Sequence, residues 1–319
     1  AAQKEGKLTY YNWGFTGDKG LALAKAFTDR YGIAVELIAG RGAEFVERLK
    51  TEARMGQRTA DAIESAPSHL ENMAQAGLTA SVLDLPALKE KNSFYVDPLI
   101  FSPDGKYFAY NRYFNSVVVN TQLVKAEEMP QSWLDLLHPR WKGRMLLGDP
   151  VLAEVSTRFA VLLKRNLLTL DFLGELGKQD IKFYPSTPMV ANALVRKDGA
   201  LVTIGGAVDY NLYAKEGAPI KMLDMKEGVI GQSLVMGAVK DSPHPNATRV
   251  FLNWTLTEEG QAVIAQAWAG APVRKGVTDF TPGPIRLEPK NPVYSTNEDI
   301  ELMAKVFRDK TYVSLLKPK

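Results

Sequence analysis

The chain contains no cysteine. A structural disulfide, a thiolate metal site and a cysteine nucleophile are therefore excluded. No apolar run approaches the roughly 18 residues that a membrane-spanning helix needs. Nor is there an excess of one charge: 39 Lys and Arg are scattered among 36 Asp and Glu, which leaves no basic stripe for nucleic acid. A Gly-x-x-x-x-Gly-Lys-Ser/Thr loop is missing, and glycines 14, 17 and 20, three apart, do not fit Gly-x-Gly-x-x-Gly. Residues 231–235 (GQSLV) lack the last glycine of a nucleophile elbow. The three histidines, His69, His138 and His244, are far apart and read as structural. No cofactor is implied, and no catalytic signature supports an enzyme.

What is present is an α/β alternation in a chain of 319 residues, long enough for two domains or two lobes. Lys7 to Trp13 reads as a strand, Asp18 to Tyr31 as a helix, Ile33 to Ile38 as a strand, Ala43 to Met55 as a helix, Thr59 to Glu64 as a strand and Pro67 to Ala76 as a Pro-initiated helix. Connections this short predict parallel strands with right-handed crossovers. Tyr107 to Asn120 reads as one long extended stretch, after which the alternation resumes: strands at Met145 to Leu147, Ile181 to Tyr184 and Leu201 to Ile204, and helices at Val155 to Lys164, Leu170 to Leu176 and Met189 to Lys197. Gly231 to Val239 resembles a second crossing, followed by helices over Asn246 to Leu256 and Thr257 to Trp268, a Pro/Gly-rich loop from Gly276 to Pro292 and a terminal helix over Asn297 to Asp309. Two α/β lobes joined by two crossings predict a hinged architecture with ligand held at strand carboxyl ends in a cleft. The expected division is a discontinuous N-terminal lobe of residues 1–112 plus 237–280, a C-terminal lobe of 113–236, and a segment 281–319 packing on the lobes. The opening residues, Ala1-Ala2-Gln3, are of the small type left by signal-peptide cleavage, which suggests export.

Strand ends then nominate site residues. They are Trp13, Gly14, Phe15 and Thr16 after the first strand, Arg41 after the second, and Ser65 and Ala66 after the third. Tyr110 and Arg112 lie on the first crossing. In the second half come Asp149, Glu154, Ser156 and Thr157, then Tyr184, and then Gly206, Asp209 and Tyr210. Small or hydroxyl residues at helix N-termini leave backbone N–H groups that can take an anion; the alternative for each is an ordinary cap worth about 1 kcal/mol. Arg41, flanked by two glycines, is the most suggestive cation; Arg158 follows Ser156 and Thr157 at the same strand end, the alternative for it being to face solvent. Trp13 offers a stacking face, the alternative being core packing beside Phe27.

Several stretches together resemble bacterial extracellular solute-binding proteins of ABC transporters, in the group that includes ferric-ion, thiamine, polyamine and phosphonate binders. They are residues 120–124 (NTQLV), 129–137 (MPQSWLDLL), 139–143 (PRWKG) and 148–150 (GDP), then 242–247 (SPHPNA), 251–254 (FLNW), 257–261 (TEEGQ) and 271–276 (APVRKG). The resemblance covers nearly the whole chain and rests on structural motifs. It implies a type II periplasmic-binding-protein fold with two hinge crossings, a periplasmic monomer that closes on a small-molecule solute, and an inner-membrane ABC permease as partner. Ferric binders of the group place a His after the first strand, a Glu after the third and adjacent tyrosines in the second lobe. Here those positions carry Trp13 or Gly14, Ala66, and Ala207-Val208, with Tyr210 and Tyr213 further along. The expectation is a small organic, anionic solute, a carboxylate or a phosphate/phosphonate, with no metal. Two alternatives stand beside it: a ferric-ion or metal-chelate binder of the same family, and a transferase-type enzyme on the same fold.

Overall fold

A computed structural model describes residues 1–15, 17–95, 102, 104–152, 154–268, 270–278, 285, 288–306 and 309–318. Its strands, in chain order, are β1 (Lys7–Asn12), β2 (Ala34–Ala39), β3 (Ala62–Ser65), β4 (Thr79–Ala80), β5 (Phe108–Ala109), β6 (Tyr113–Asn120), β7 (Met145–Gly148), β8 (Lys182–Tyr184), β9 (Leu201–Gly206), β10 (Ile220–Met222), β11 (Val229–Gln232), β12 (Val235–Val239) and β13 (Pro292–Tyr294). The chain divides into two compact units. The first is Ala1–Arg112 with Ser233–Pro282; the second is Tyr113–Gln232 with Gly283–Lys319.

The first unit is built on the order β2-β1-β3-β12-β4, with β5 also paired to β12. β1 runs parallel to β2 and β3, as the short strand–helix connections require, while β12 returns antiparallel to β3. Both faces of this sheet are covered, so β1 is buried almost throughout. Alternation sends Tyr10 and Tyr11 to opposite faces. Tyr10 packs on Phe251 of the helix Pro245–Trp254, and Tyr11 stacks on Phe45 of the helix Gly42–Arg54. Phe27 of the helix Asp18–Tyr31 completes the Tyr10 side against Phe251 and Trp254.

The second unit has the order β13-β11-β6-β9-β7-β8, with β10 on β6. β7 is parallel to β8 and β9, whereas β6 is antiparallel to β9, β10 and β11. Val118, Leu146 and Val202 bring β6, β7 and β9 into one core with Val190 and Leu194 of the helix Thr187–Val195. The stretch MPQSWLDLL forms a capped 3₁₀ turn, Trp133–Leu137. Ser132 Oγ accepts the Leu134 N–H, Asp135 accepts the Ser132 N–H, and the buried Trp133 donates its indole N–H to Gly228 O at 2.9 Å.

Several elements differ from the sequence expectation. The extended stretch from Tyr107 to Asn120 is two strands, because the backbone of Arg112 leaves the sheet to exchange both hydrogen bonds with Ala271. Residues 231–239 likewise split between β11 and β12, which belong to different sheets. Val155 to Lys164 begins as a 3₁₀ turn, Glu154–Arg158, and becomes α-helical only at Phe159. β4, β10 and β13 are short strands without alternation long enough to read. The terminal helix is described over Asn297–Val306, the expected continuation through 307–308 lies outside the described residues, and a further helix, Lys310–Leu316, is capped by Asp309, which accepts the N–H groups of Thr311 and Tyr312.

The terminal segment is pinned by Asp299. Its side chain is fully buried, pairs with Arg165 and Lys164, and accepts the Thr296 N–H at 2.8 Å. Removing it strands cations and an amide, so Asp299→Ala should lower the stability of the second unit by about 2–3 kcal/mol, read as a shift in its urea unfolding midpoint.

Candidate functional site

In the first unit, β1 and β3 are adjacent and parallel, with Tyr11 beside Ile63. One residue further on, Asn12 and Glu64 share a face at the carboxyl ends of their strands. Glu64 has no exposed surface. One carboxyl oxygen accepts the backbone N–H groups of Trp13 (3.0 Å) and Gly14 (2.8 Å), and the other accepts the Tyr110 hydroxyl (2.8 Å). Burial pushes this carboxyl up to about 7, against the opposing pull of the Gly14 amide, the Tyr110 hydroxyl and the Trp13 amide. Gly14 is required here, since a methyl group would stand 2.3 Å from Trp268 and 2.9 Å from Glu64. Phe15 is buried between Tyr110 and Trp268. Trp13 is 41% exposed, which rules out packing in the core beside Phe27.

The loop thus brings Trp13, Gly14, Phe15 and Tyr110 together around one carboxylate. Thr16 lies outside the described residues. Ser65 points to the opposite face of β3, where its hydroxyl meets His69 Nδ1 at 2.9 Å, and Ala66 precedes the helix Pro67–Gln75. Gly42 fits against both Ser65 and His69, so the exposed Arg41 stands beside that face. Arg112 is not with them: it is buried, donates Nε–H to Pro272 O at 2.7 Å and lies 3.9 Å over the Tyr95 ring.

In the second unit the convergence is at the end of β9. Gly205 leaves room for the Tyr210 ring, which is buried in the core and whose pKa burial raises well above the usual phenol range. Gly206 leaves room for three polar groups. A methyl group there would stand 2.8 Å from Asp209 Oδ2, 3.0 Å from Asn115 Oδ1 and 3.8 Å from Arg158 Nη1. Gln232 Oε1 accepts from both Asn115 Nδ2 (3.0 Å) and Arg158 Nε (3.1 Å). Arg158 is therefore held in place rather than facing solvent. Its buried Nη1 and the buried Asn115 Oδ1 have no hydrogen-bond partner among the described residues. One is a donor, the other an acceptor, and each is costly to leave unmet.

The other nominated residues do not join this group through the contacts described. Asp149 pairs with Lys317 at 2.6 Å and accepts the Val151 N–H. Tyr184 donates to Asp198. Ser156 and Thr157 are buried in the turn Glu154–Arg158, where Ser156 O accepts the Tyr312 hydroxyl; the Glu154 side chain is outside the described part. Among the described residues no group of three or more His, Cys, Asp or Glu is placed to hold a metal. Sequence reasoning missed Glu64, Asn115 and Gln232 and left Arg158 open between the site and solvent. Of the three missed residues, Glu64 carried a signal, as a charged residue at the end of a predicted strand.

Two α/β units with strand-end polar clusters define a type II periplasmic-binding-protein architecture, and the comparisons agree. A family model for bacterial extracellular solute-binding proteins matches residues 22–293, and the chain belongs to that family. It is a solute-binding protein of the ABC-importer type. Proteins of this type work with an inner-membrane permease, and family members are periplasmic or extracellular. No helix among the described residues is long and apolar enough to cross a membrane. The chain is 28% identical over 265 residues, 79% of its length and 73% of the other, to a Salmonella typhimurium protein named as a candidate 2-aminoethylphosphonate-binding periplasmic protein. Iron-bound HitA from Pseudomonas aeruginosa shares the fold with a TM-score of 0.70 at 23% identity, covering 94% of this chain and 99% of that one. AfuA from Actinobacillus pleuropneumoniae, solved with fructose-6-phosphate, gives 0.63 at 19% identity, with 98% and 96% covered. The Salmonella and Actinobacillus proteins are named as periplasmic binding proteins.

The raised pKa of Glu64 fixes the sign of a pH effect. Its folded value lies above the ordinary carboxyl value, so the folded state holds a proton that the unfolded chain releases. Stability from this group is full below about pH 4.5 and is lost as pH rises through about 7, a loss of roughly 3 kcal/mol at most. Thermal midpoints measured from about pH 5 to about pH 8 should therefore fall less in Glu64→Gln than in the unmodified protein.

Proposed function

We propose that this protein captures a small organic solute that carries an anionic group, phosphonate, phosphate or carboxylate, together with a hydrogen-bond donor such as an amine or hydroxyl. The observation that carries the reading is the convergence on Gly206: among the described residues Arg158 Nη1 has no acceptor and Asn115 Oδ1 no donor, and the Asp209 carboxylate stands beside them. A guanidinium held by Gln232 is a natural partner for an oxyanion. The resemblance to the candidate aminophosphonate binder supports this class of solute. A fixed guanidinium disfavours a bare metal cation at the same place, and the buried Tyr210 is poorly suited to supply a phenolate. With this reading go hinge closure on the solute as a ligand-driven population shift, delivery to the permease without chemical change, a monomeric state and export to the periplasm.

The test is calorimetry and thermal shift with 2-aminoethylphosphonate, fructose 6-phosphate, inorganic phosphate, a small carboxylate and ferric citrate. A bound organic anion at about 100 times its dissociation constant should add roughly 2.7 kcal/mol of stability. Arg158→Ala should weaken it by about 1.5–3 kcal/mol, and Arg41→Ala by under about 1 kcal/mol. Unchanged affinity in Arg158→Ala, or binding of the ferric salt alone, sinks the proposal.

A further inference from the structure

The N–H groups of Trp13 and Gly14 point at one place, and such successive amides after a strand form a concave seat for an anion. In this chain the seat is taken. Glu64 reaches it from inside the sheet with one oxygen, while its other oxygen is fixed by the Tyr110 hydroxyl. We propose that Glu64 is a positioning residue that fills this seat from within, so that the loop offers a solute the Trp13 indole and not its N–H groups.

Three features make the arrangement more than a routine hydrogen bond. The carboxyl is completely buried, so it cannot swing out to make room for a solute oxyanion. Gly14 is wedged between Glu64 and Trp268 and cannot retreat, since even a methyl group does not fit there. Phe15 is packed between Tyr110 and Trp268, which fixes the far side of the turn. Trp13 stays exposed because its backbone is tied down while its side chain has no place in the core. Specificity follows: an anionic group gains nothing from this loop, and a flat or apolar part of a solute gains a stacking face.

The state of the seat depends on a proton. The titratable groups around Glu64 are Tyr110, bonded to it, and the fully buried Tyr10 on β1, whose hydroxyl has no hydrogen-bond partner among the described residues. β12 presents Met236 opposite, and the helix Glu258–Trp268 presents Trp268, with Lys19 over its outer ring at 5.3 Å. None of these is a cation in contact with the carboxyl. Proton uptake turns two charge-assisted N–H bonds into neutral ones of about half the strength, slackening the hold on Trp13.

The experiment is amide NMR of the intact protein, and it is independent of Arg158, so either proposal can fail alone. From about pH 5 to about pH 9 the Trp13 and Gly14 amide signals should move together, with a midpoint near 7. They should stay flat in Glu64→Gln. In Tyr110→Phe, where one bond to the carboxylate is lost, the midpoint should move up. Inorganic phosphate should leave both signals in place in the unmodified protein and move them in Glu64→Ala, where the seat is vacated. A midpoint in the ordinary carboxyl range, equal titration in Glu64→Gln, or phosphate-dependent movement of Gly14 in the unmodified protein overturns the proposal. The last of these needs no variant to fold.

Discussion

Strands covered on both faces leave little water for polar groups at their ends, and in the first unit one carboxylate meets that demand for the loop after β1. Glu64 takes two amides of the loop after β1 and a hydroxyl from the segment after β5. The carboxyl costs free energy to bury. What it secures is a fixed turn at a strand end, the place where open α/β sheets carry their ligand contacts. The exposure of Trp13, the packing of Phe15 and the need for glycine at 14 all follow from where that carboxylate sits.

The second unit handles polar groups in the opposite way. Around Gly206, Gln232 satisfies one end of Asn115 and one edge of Arg158 but leaves an acceptor and a donor without a partner among the described residues. A complete internal network has little to offer a small molecule, whereas an incomplete one gains by binding. The two clusters thus differ in chemistry: in the first the Glu64 carboxylate is engaged by the loop and Trp13 presents an aromatic face, while in the second Arg158 and Asn115 keep polar capacity in reserve.

Much of this fold was legible, because parallel β-α alternation leaves a strong pattern: period-two strands, amphipathic helices such as Gly42–Arg54, and capping residues at their starts. The family was legible from Trp133 and its capped turn, whose residues are demanded by local geometry. Short strands such as β10 and β13 were not, since three residues hold no readable period. The site was legible only by position. Gly206 and Asp209 could be nominated from a strand end, but their partners Asn115, Arg158 and Gln232 are contributed by β6, a 3₁₀ turn and β11. No local pattern records that these three meet, because the meeting is made by antiparallel pairing of β6 with β9 and β11. Tyr210 shows the reverse: it had the right residue type for a site, yet the packing of β9 against its own helix buries it.

The place of β12 has a consequence for how the chain comes to be folded. It lies between β3 and β4, although most of the second unit separates them in sequence. β13, on the edge of the other sheet, and the helix Lys310–Leu316 are contributed by the last residues of the chain. A chain emerging from its N-terminus therefore cannot finish the first unit before residue 239 has appeared, nor the second before residue 316. Both units depend on contacts between distant segments, a topology associated with slow folding. A growing chain of this design leaves both units incomplete until those late segments appear, and long-lived incomplete states are the ones that chaperones bind.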